Sequence, residues 1–312
     1  MALGTNGQTV TTAANFIPEL WSDEVIAGYK KNLVLGNLVT KINHSGKKGD
    51  TIHIPAPVRG SANVKAANTQ VTLQGDTHSV VNLSIDKHYE YSVVIEDIVE
   101  VQALQSLRRF YTDDAGYALA TQVDDDLFIQ AESLQGGTKG ANTWAAAVIG
   151  GDGTTAYNQT ANTNAGNGSD ITDAGIRKMI LTLDNADVPM DNRALVIPPI
   201  AANDLLGINR FTEQQYIGDG NAIKTGKIGS IYGIDVFVSS NCPVETAADT
   251  STLYRVGLMM HKDALALVEQ MGVRSQTQYK QEYLGDLFTA DTLYGVGELR
   301  DNAGVAFVVP ST

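Results

Sequence analysis

Three consecutive carboxylates, Asp124-Asp125-Asp126, form the densest run of potential metal ligands in the sequence. To hold one ion they would have to converge on it. Successive side chains on a helix point ~100° apart, so Asp124 and Asp126 face nearly opposite ways. The run is therefore expected to form a solvated or partner-facing acidic surface, with no metal. His44, His53, His78, His88 and His261 show neither an HExxH pattern nor a Cys/His ligand spacing. His53, His78 and His88 fall in strand-like sequence and are expected to be partly exposed. Cys242 is the single cysteine, followed by Pro243, with no arrangement that marks a nucleophile and no mate for an intrachain disulfide. There is no Gly-Lys-Ser/Thr phosphate loop and no Gly-x-Ser-x-Gly elbow, and Gly150, Gly151 and Gly153 do not join a strand to a helix. No catalytic residue, cofactor or enzymatic activity is expected.

The elements that must position these residues begin with Glu96 to Leu134, a stretch with no proline and one glycine, Gly116. Val101, Leu104, Leu107, Tyr111, Ala115, Leu119, Val123, Phe128 and Ala131 recur there at helical spacing. Unbroken, that helix would run roughly 58 Å at ~1.5 Å per residue. A short helix followed by a longer one, bent near Ser106, fits the pattern equally well. Upstream, Thr51-Ile52-His53-Ile54 and Val81 to Asp86 alternate with period two around a tip punctuated by proline, glycine and asparagine. That pattern predicts a long two-stranded excursion. Residues 1–15 read as a mobile arm, and Pro18 opens a helix with an apolar face of Leu20, Trp21, Val25 and Tyr29. Gln135 to Asp170 reads as a surface loop or insertion with one short strand at Trp144 to Ile149. From Ile171, with Asp170 or Thr172 as the first N-cap, helices and strands alternate. From Asp263 the pattern is mostly strand.

With 312 residues, 43% hydrophobic and 18% charged, the chain can bury a sizeable core as one large domain or two. The net charge of -13 argues against a general nucleic-acid binder. The first residues show no leader pattern, so no signal peptide is expected, and no apolar run is long enough to predict a membrane span. Charge is unevenly placed. Lys30 to Lys65 carries a balance of +6, whereas Glu96 to Leu134 carries -7. Two readings fit: plain solubilising surface charge, or Lys47, Lys48, Arg59 and Lys65 meeting Asp124, Asp125 and Asp126 of a neighbouring copy.

Four stretches, in this order, resemble the major capsid protein of tailed bacteriophages, whose fold is named after phage Hong Kong ninety-seven. They are FIPELWSDEVIAGYKKNLVLGNLV, LDNADVPMDNRALVIPPIAANDLL, GKIGSIYGIDVFVSSNCP and ADTLYGVGELRDNAGVAFV. The resemblance implies an α+β phage major capsid fold. Its parts would be an N-terminal arm (1–48), an extended β-hairpin E-loop (49–95) and the spine helix of the P domain (96–134). A Gly/Asn/Thr-rich loop or insertion (135–169), an α/β A domain (170–262) and C-terminal P-domain strands (263–312) would follow.

The same resemblance implies hexamers and pentamers of one chain in a virion capsid assembled in the host cytoplasm. It also implies a portal protein, and a decoration protein is compatible with it. Packaged double-stranded DNA would be enclosed but not specifically bound, with no membrane involved. The arm helix starts near Pro18, so a separate scaffolding protein is expected. The alternative from a different class is a surface-layer or adhesin-like carbohydrate-binding β protein. The Asn/Thr/Gly-rich segment favours it, and the missing secretion signal counts against it.

Overall fold

The computed structural model describes residues 34–46, 48–56, 60, 62–71, 73, 79–98, 107–137, 149–153, 169–208, 229–246 and 253–311. The expected arm helix, most of the short strand from Trp144, the region of a bend near Ser106 and most of the Gln135–Asp170 segment lie outside the described residues. The first half of the chain supplies α1 (Leu35–Leu38), β1 (Thr40–Asn43), β2 (Thr51–Ala56), β3 (Ser79–Ser84), β4 (Lys87–Glu96) and α2 (Leu107–Ala131). The middle supplies β5 (Ile149–Gly150), α3 (Asp173–Asn185), β6 (Arg193–Ile197), α4 (Pro199–Leu206), β7 (Ser230–Ile231), β8 (Ile234–Val238) and β9 (Val244–Thr246). Strands β10 (Leu253–His261), β11 (Leu265–Lys280), β12 (Gly285–Glu298) and β13 (Gly304–Pro310) follow.

The most continuous apolar runs form the middle of a seven-stranded sheet, ordered β5-β13-β10-β6-β8-β7 with β9 on β10. Every residue of β6 is buried, as are nearly all of β10 and β13. Strands covered on both faces read as unbroken hydrophobic runs, which is why RALVI and GVAFVV show no alternation. Gly257 stands opposite Phe307, and a Cβ there would lie 2.2 Å from the Phe307 ring. Helix α3 starts where Thr172 accepts a hydrogen bond from the Gly175 amide at 3.2 Å. Helix α4 begins with Pro199 in its first turn. Tyr232 and Gly233, at φ 52° and 79°, make the two-residue turn between β7 and β8.

A second sheet, ordered β1-β11-β12-β4, has β1 parallel to β11 and the other pairs antiparallel. Helix α2 joins the two sheets. Ala115 and Leu119 pack on Phe288 and Ala290 of the four-stranded sheet, whereas Leu127, Phe128 and Ala131 enter the core of the seven-stranded one. At ~1.5 Å per residue its 25 residues span roughly 37 Å, enough to reach both.

Two features depart from the sequence reading. The excursion is a hairpin of β2 and β3 only, because β4 leaves it and pairs along its whole length with β12. The C-terminal strands do not stay together either. A single helical turn at Asp301–Ala303 redirects the chain, and β13 pairs with β10 in the seven-stranded sheet.

Candidate functional site

The β2–β3 hairpin is joined to the body at its base and bare toward its tip. Leu83 and Ile85 form a small cluster with Ala266 and Val268, and the Ile85 amide donates to the Asp50 carbonyl at 2.7 Å. Two glycines of β12 admit the crossing. A Cβ on Gly295 would lie 2.2 Å from the Ser84 carbonyl oxygen, and one on Gly297 would lie 2.2 Å from a Leu83 methyl. Farther out, Val80 is 53% exposed and Leu73 is 90% exposed. Lys48 and Lys65 are exposed as well. Lys47 and Arg59 lie outside the described residues.

The acidic run has a different setting from the one its charge suggested. Asp124 and Asp126 are buried at 2% and 3% exposure, and all three carboxylates have partners in their own chain. They do point different ways, as helical geometry requires. Asp124 reaches α1, where the Gly36 amide donates to it at 3.0 Å. Burial pushes its carboxyl above the usual range, and the backbone amides of Gly36, Val34 and Leu35 pull it back. Asp125 accepts from the Asn241 side chain at 2.7 Å. Asp126 accepts from Tyr294 at 2.7 Å and Tyr89 at 3.5 Å, with the Lys87 ammonium 3.5 Å away. The exposure expected of Asp124 and Asp126 is thus corrected, while Asp125 is half-buried. The helix lies between α1 on one side and the four-stranded sheet on the other, so both faces of the run are covered.

Sequence reasoning missed the partners of these acids. Period two along β4 places Lys87, Tyr89 and Tyr91 on the face toward α2, and all three reach its carboxylates, Tyr91 through Asp114 at 3.2 Å. Burial, and then Asp126, raise the Tyr89 and Tyr294 hydroxyls above the ordinary tyrosine value. Burial alone would lower Lys87, but Asp126 beside it raises it overall. On the opposite sheet face, Arg274 donates to both Asp291 oxygens at 2.7 and 2.9 Å, and the His88 ring lies 3.1 Å from one of them. The Arg274 hydrogen bonds hold Asp291 below the usual carboxylate range. Cys242 is buried, which pushes its thiol up to about 12. A thiol in that state is not a nucleophile near neutral pH. Among the described residues no three His, Cys, Asp or Glu side chains gather as metal ligands would. No described helix is long and apolar enough to cross a membrane.

A long helix thus packs on both sheets, and a hairpin crosses one of them. Residues 19–300 match the family described as phage capsid protein. The chain belongs to the phage capsid protein family. This capsid protein is similar in structure to a chain from Mycobacterium phage Che8, with a TM-score of 0.72 at 26% identity over 94% of this chain and 97% of that one. It is also similar to the capsid of cyanophage P-SCSP1u, at TM-score 0.72 and 20% identity over 99% of this chain and 97% of that one. The mature capsid of bacteriophage PhiM1 gives a TM-score of 0.70 at 15% identity, covering 95% of this chain and 93% of that one. No curated protein sequence matches it. The α+β phage major capsid fold read from the sequence is therefore the fold of this capsid protein.

Proposed function

We propose that copies of this major capsid protein assemble as hexamers and pentamers into a closed icosahedral shell around packaged double-stranded DNA. The observation that carries the reading is the bare hairpin. Its apolar tip finds no cover among the described residues of its own chain, and a two-stranded ribbon is marginal in water unless it lies on something. A neighbouring copy supplies that surface. The role is structural and not catalytic, and assembly takes place in the host cytoplasm with a portal and a separate scaffolding protein. A decoration protein is compatible with it. The acidic balance of the chain suits a wall to which enclosed DNA must not adhere. In domain terms, the hairpin acts as the E-loop, α2 as the spine and the seven-stranded sheet as the centre of the A domain. Lys48 and Lys65 meet carboxylates of a neighbouring copy on the exposed part of α2. The test is deletion of residues 62–71. The deleted protein should remain folded and soluble but form no closed shells, and normal shells would overturn the reading.

A further inference from the structure

Helix α1 is a single turn, Leu35–Leu38, and a turn of that length does not hold itself in water. Two things seat it on α2. Leu35 and Val39 are buried in the core, and the Gly36 amide donates to Asp124 Oδ1 at 3.0 Å. Val34, at the N-cap position, makes no side-chain capping bond. Asp124 therefore supplies, from 88 residues away, the acceptor that a serine or aspartate ordinarily supplies at the start of a helix.

That acceptor is only half satisfied. Asp124 Oδ2 is buried and has no hydrogen-bond partner among the described residues. No described lysine or arginine pairs with the carboxylate either. From α1 it faces backbone amides, and the Lys41 ammonium at the start of β1 is turned to Asn37 Oδ1 at 3.0 Å. From the link between β8 and β9 come Asn241, which donates to Asp125, and the buried Cys242, whose carbonyl accepts from Arg255 at 3.4 Å. From the four-stranded sheet, Tyr294 is tied to Asp126, and Glu269 is exposed. A buried oxygen without a donor costs most when it carries charge. A proton removes that charge and leaves Oδ1 as the acceptor for Gly36. A slot of about 300 Å³ between α2 and β11, lined by Gly36, Asn37, Lys41 and Asp124, brings solvent to the joint.

We propose that Asp124 is a proton-operated latch. Helix α1 sits most firmly on α2 while the carboxyl carries a proton, and it loosens when the proton leaves. Burial raises the closed carboxyl above the ordinary aspartate range, against the pull of the α1 amides and Asn241. With α1 displaced, Asp124 is wetted and returns to ~3.9. The extra seating is thus complete below that value and is lost as pH rises through the raised one. Leu35 and Val39 keep the turn near its place after the latch opens, so the change is local. Strand β1 continues directly from α1 and pairs with β11. The latch therefore sets how firmly the outer edge of the four-stranded sheet is covered.

Hydrogen exchange on the unmodified soluble subunit tests this from about pH 4 to about pH 7. The readout is the protection factor, from which the intrinsic pH dependence of exchange has been divided out. The α1 amides should exchange faster than those of β10 at every pH, the mark of a local opening, and should lose protection several-fold as pH rises. Asp124→Asn keeps an acceptor for Gly36 and removes the titration. Its α1 protection should be level across the range, and above that of the unmodified chain at neutral pH. Asp124→Ser, a second uncharged acceptor, takes its place should the asparagine variant not fold. Glu298→Gln, which removes a raised carboxyl away from α1, should leave the α1 slope as it was. Level protection in the unmodified chain, or equal protection of α1 and β10, overturns the latch. So does a folded Asp124 variant that keeps the slope or protects α1 less at neutral pH.

Discussion

Strands β10 and β11 follow one another in the chain with only a short turn between them, yet their surroundings are opposite. From Val256 to His261, β10 is buried and held by β6 and β13 on its two edges. The far half of β11, from Gly272 to Gln278, is exposed, and β1 covers its outer edge only at 266–269. Among the described residues, the central strands of the seven-stranded sheet are paired on both edges, whereas the outer edge of β11 beyond residue 269 has no strand beside it. An open strand edge and a bare apolar tip invite association, and a monomeric protein would blunt or cover them. In the shell proposed above, a neighbouring copy covers them.

The contrast predicts where substitutions act. The largest effect falls in the seven-stranded sheet. Phe307→Ala should cost about 3–5 kcal/mol of subunit stability, as a buried aromatic truncation does, read by denaturant unfolding of the soluble protein. Loss well below that would mean that the sheet draws its stability from contacts between subunits. Next comes the joint between the sheets. Asp126→Ala leaves the buried Tyr294 hydroxyl without its acceptor and should cost about 1–3 kcal/mol in the isolated subunit. An unchanged melting temperature would return Asp126 to the solvated surface expected from its charge.

Gly297→Ala sharpens the boundary. Its new methyl must displace the Leu83 side chain, so hydrogen exchange should quicken in β2 and β3 and stay unchanged in β10. Equal quickening in all three strands would show that the hairpin and the core open as one unit. The pH dependence is smaller. Burial raises Glu298 at the end of β12 above the ordinary glutamate value, against the opposing hydrogen bond from Ser133. A carboxyl raised on folding binds its proton more tightly in the folded state. The stability this gives is fully present below the unfolded value of ~4.3 and is lost as pH rises through the folded one. Glu298→Gln should flatten the melting-temperature profile in that acid window, and an unchanged slope would contradict the assignment. The smallest effect belongs to exposed β11, where Gln276→Ala should change subunit stability by no more than about 0.5 kcal/mol.

Much of this contrast was legible in the sequence. The alternation of helices and strands after Ile171 and the strand-rich end after Asp263 announced β6, β10 and β13, Thr172 stands at the start of α3 as its N-cap, and period two marked β2 and β3. What failed was the meaning of charge. A run of three aspartates on a helix reads as solvent-facing unless its cover is known. The cover comes from α1, 88 residues upstream, and from Tyr294, 168 residues downstream. No local pattern encodes such contacts. The glycines of TLYGVGELR were likewise visible but uninterpreted, because their purpose is to admit a hairpin that crosses from far upstream. The route of β13 was hidden for the same reason. Its hydrophobicity fits either sheet, and only the turn at Asp301–Ala303 selects one.

Electron cryomicroscopy of purified particles of this chain tests the central claim most directly. The account predicts closed shells in which each subunit keeps its seven-stranded sheet to itself and lays the tip of its hairpin over a neighbouring copy. Compact monomers, flat sheets, or shells in which the hairpin folds back on its own subunit would contradict it.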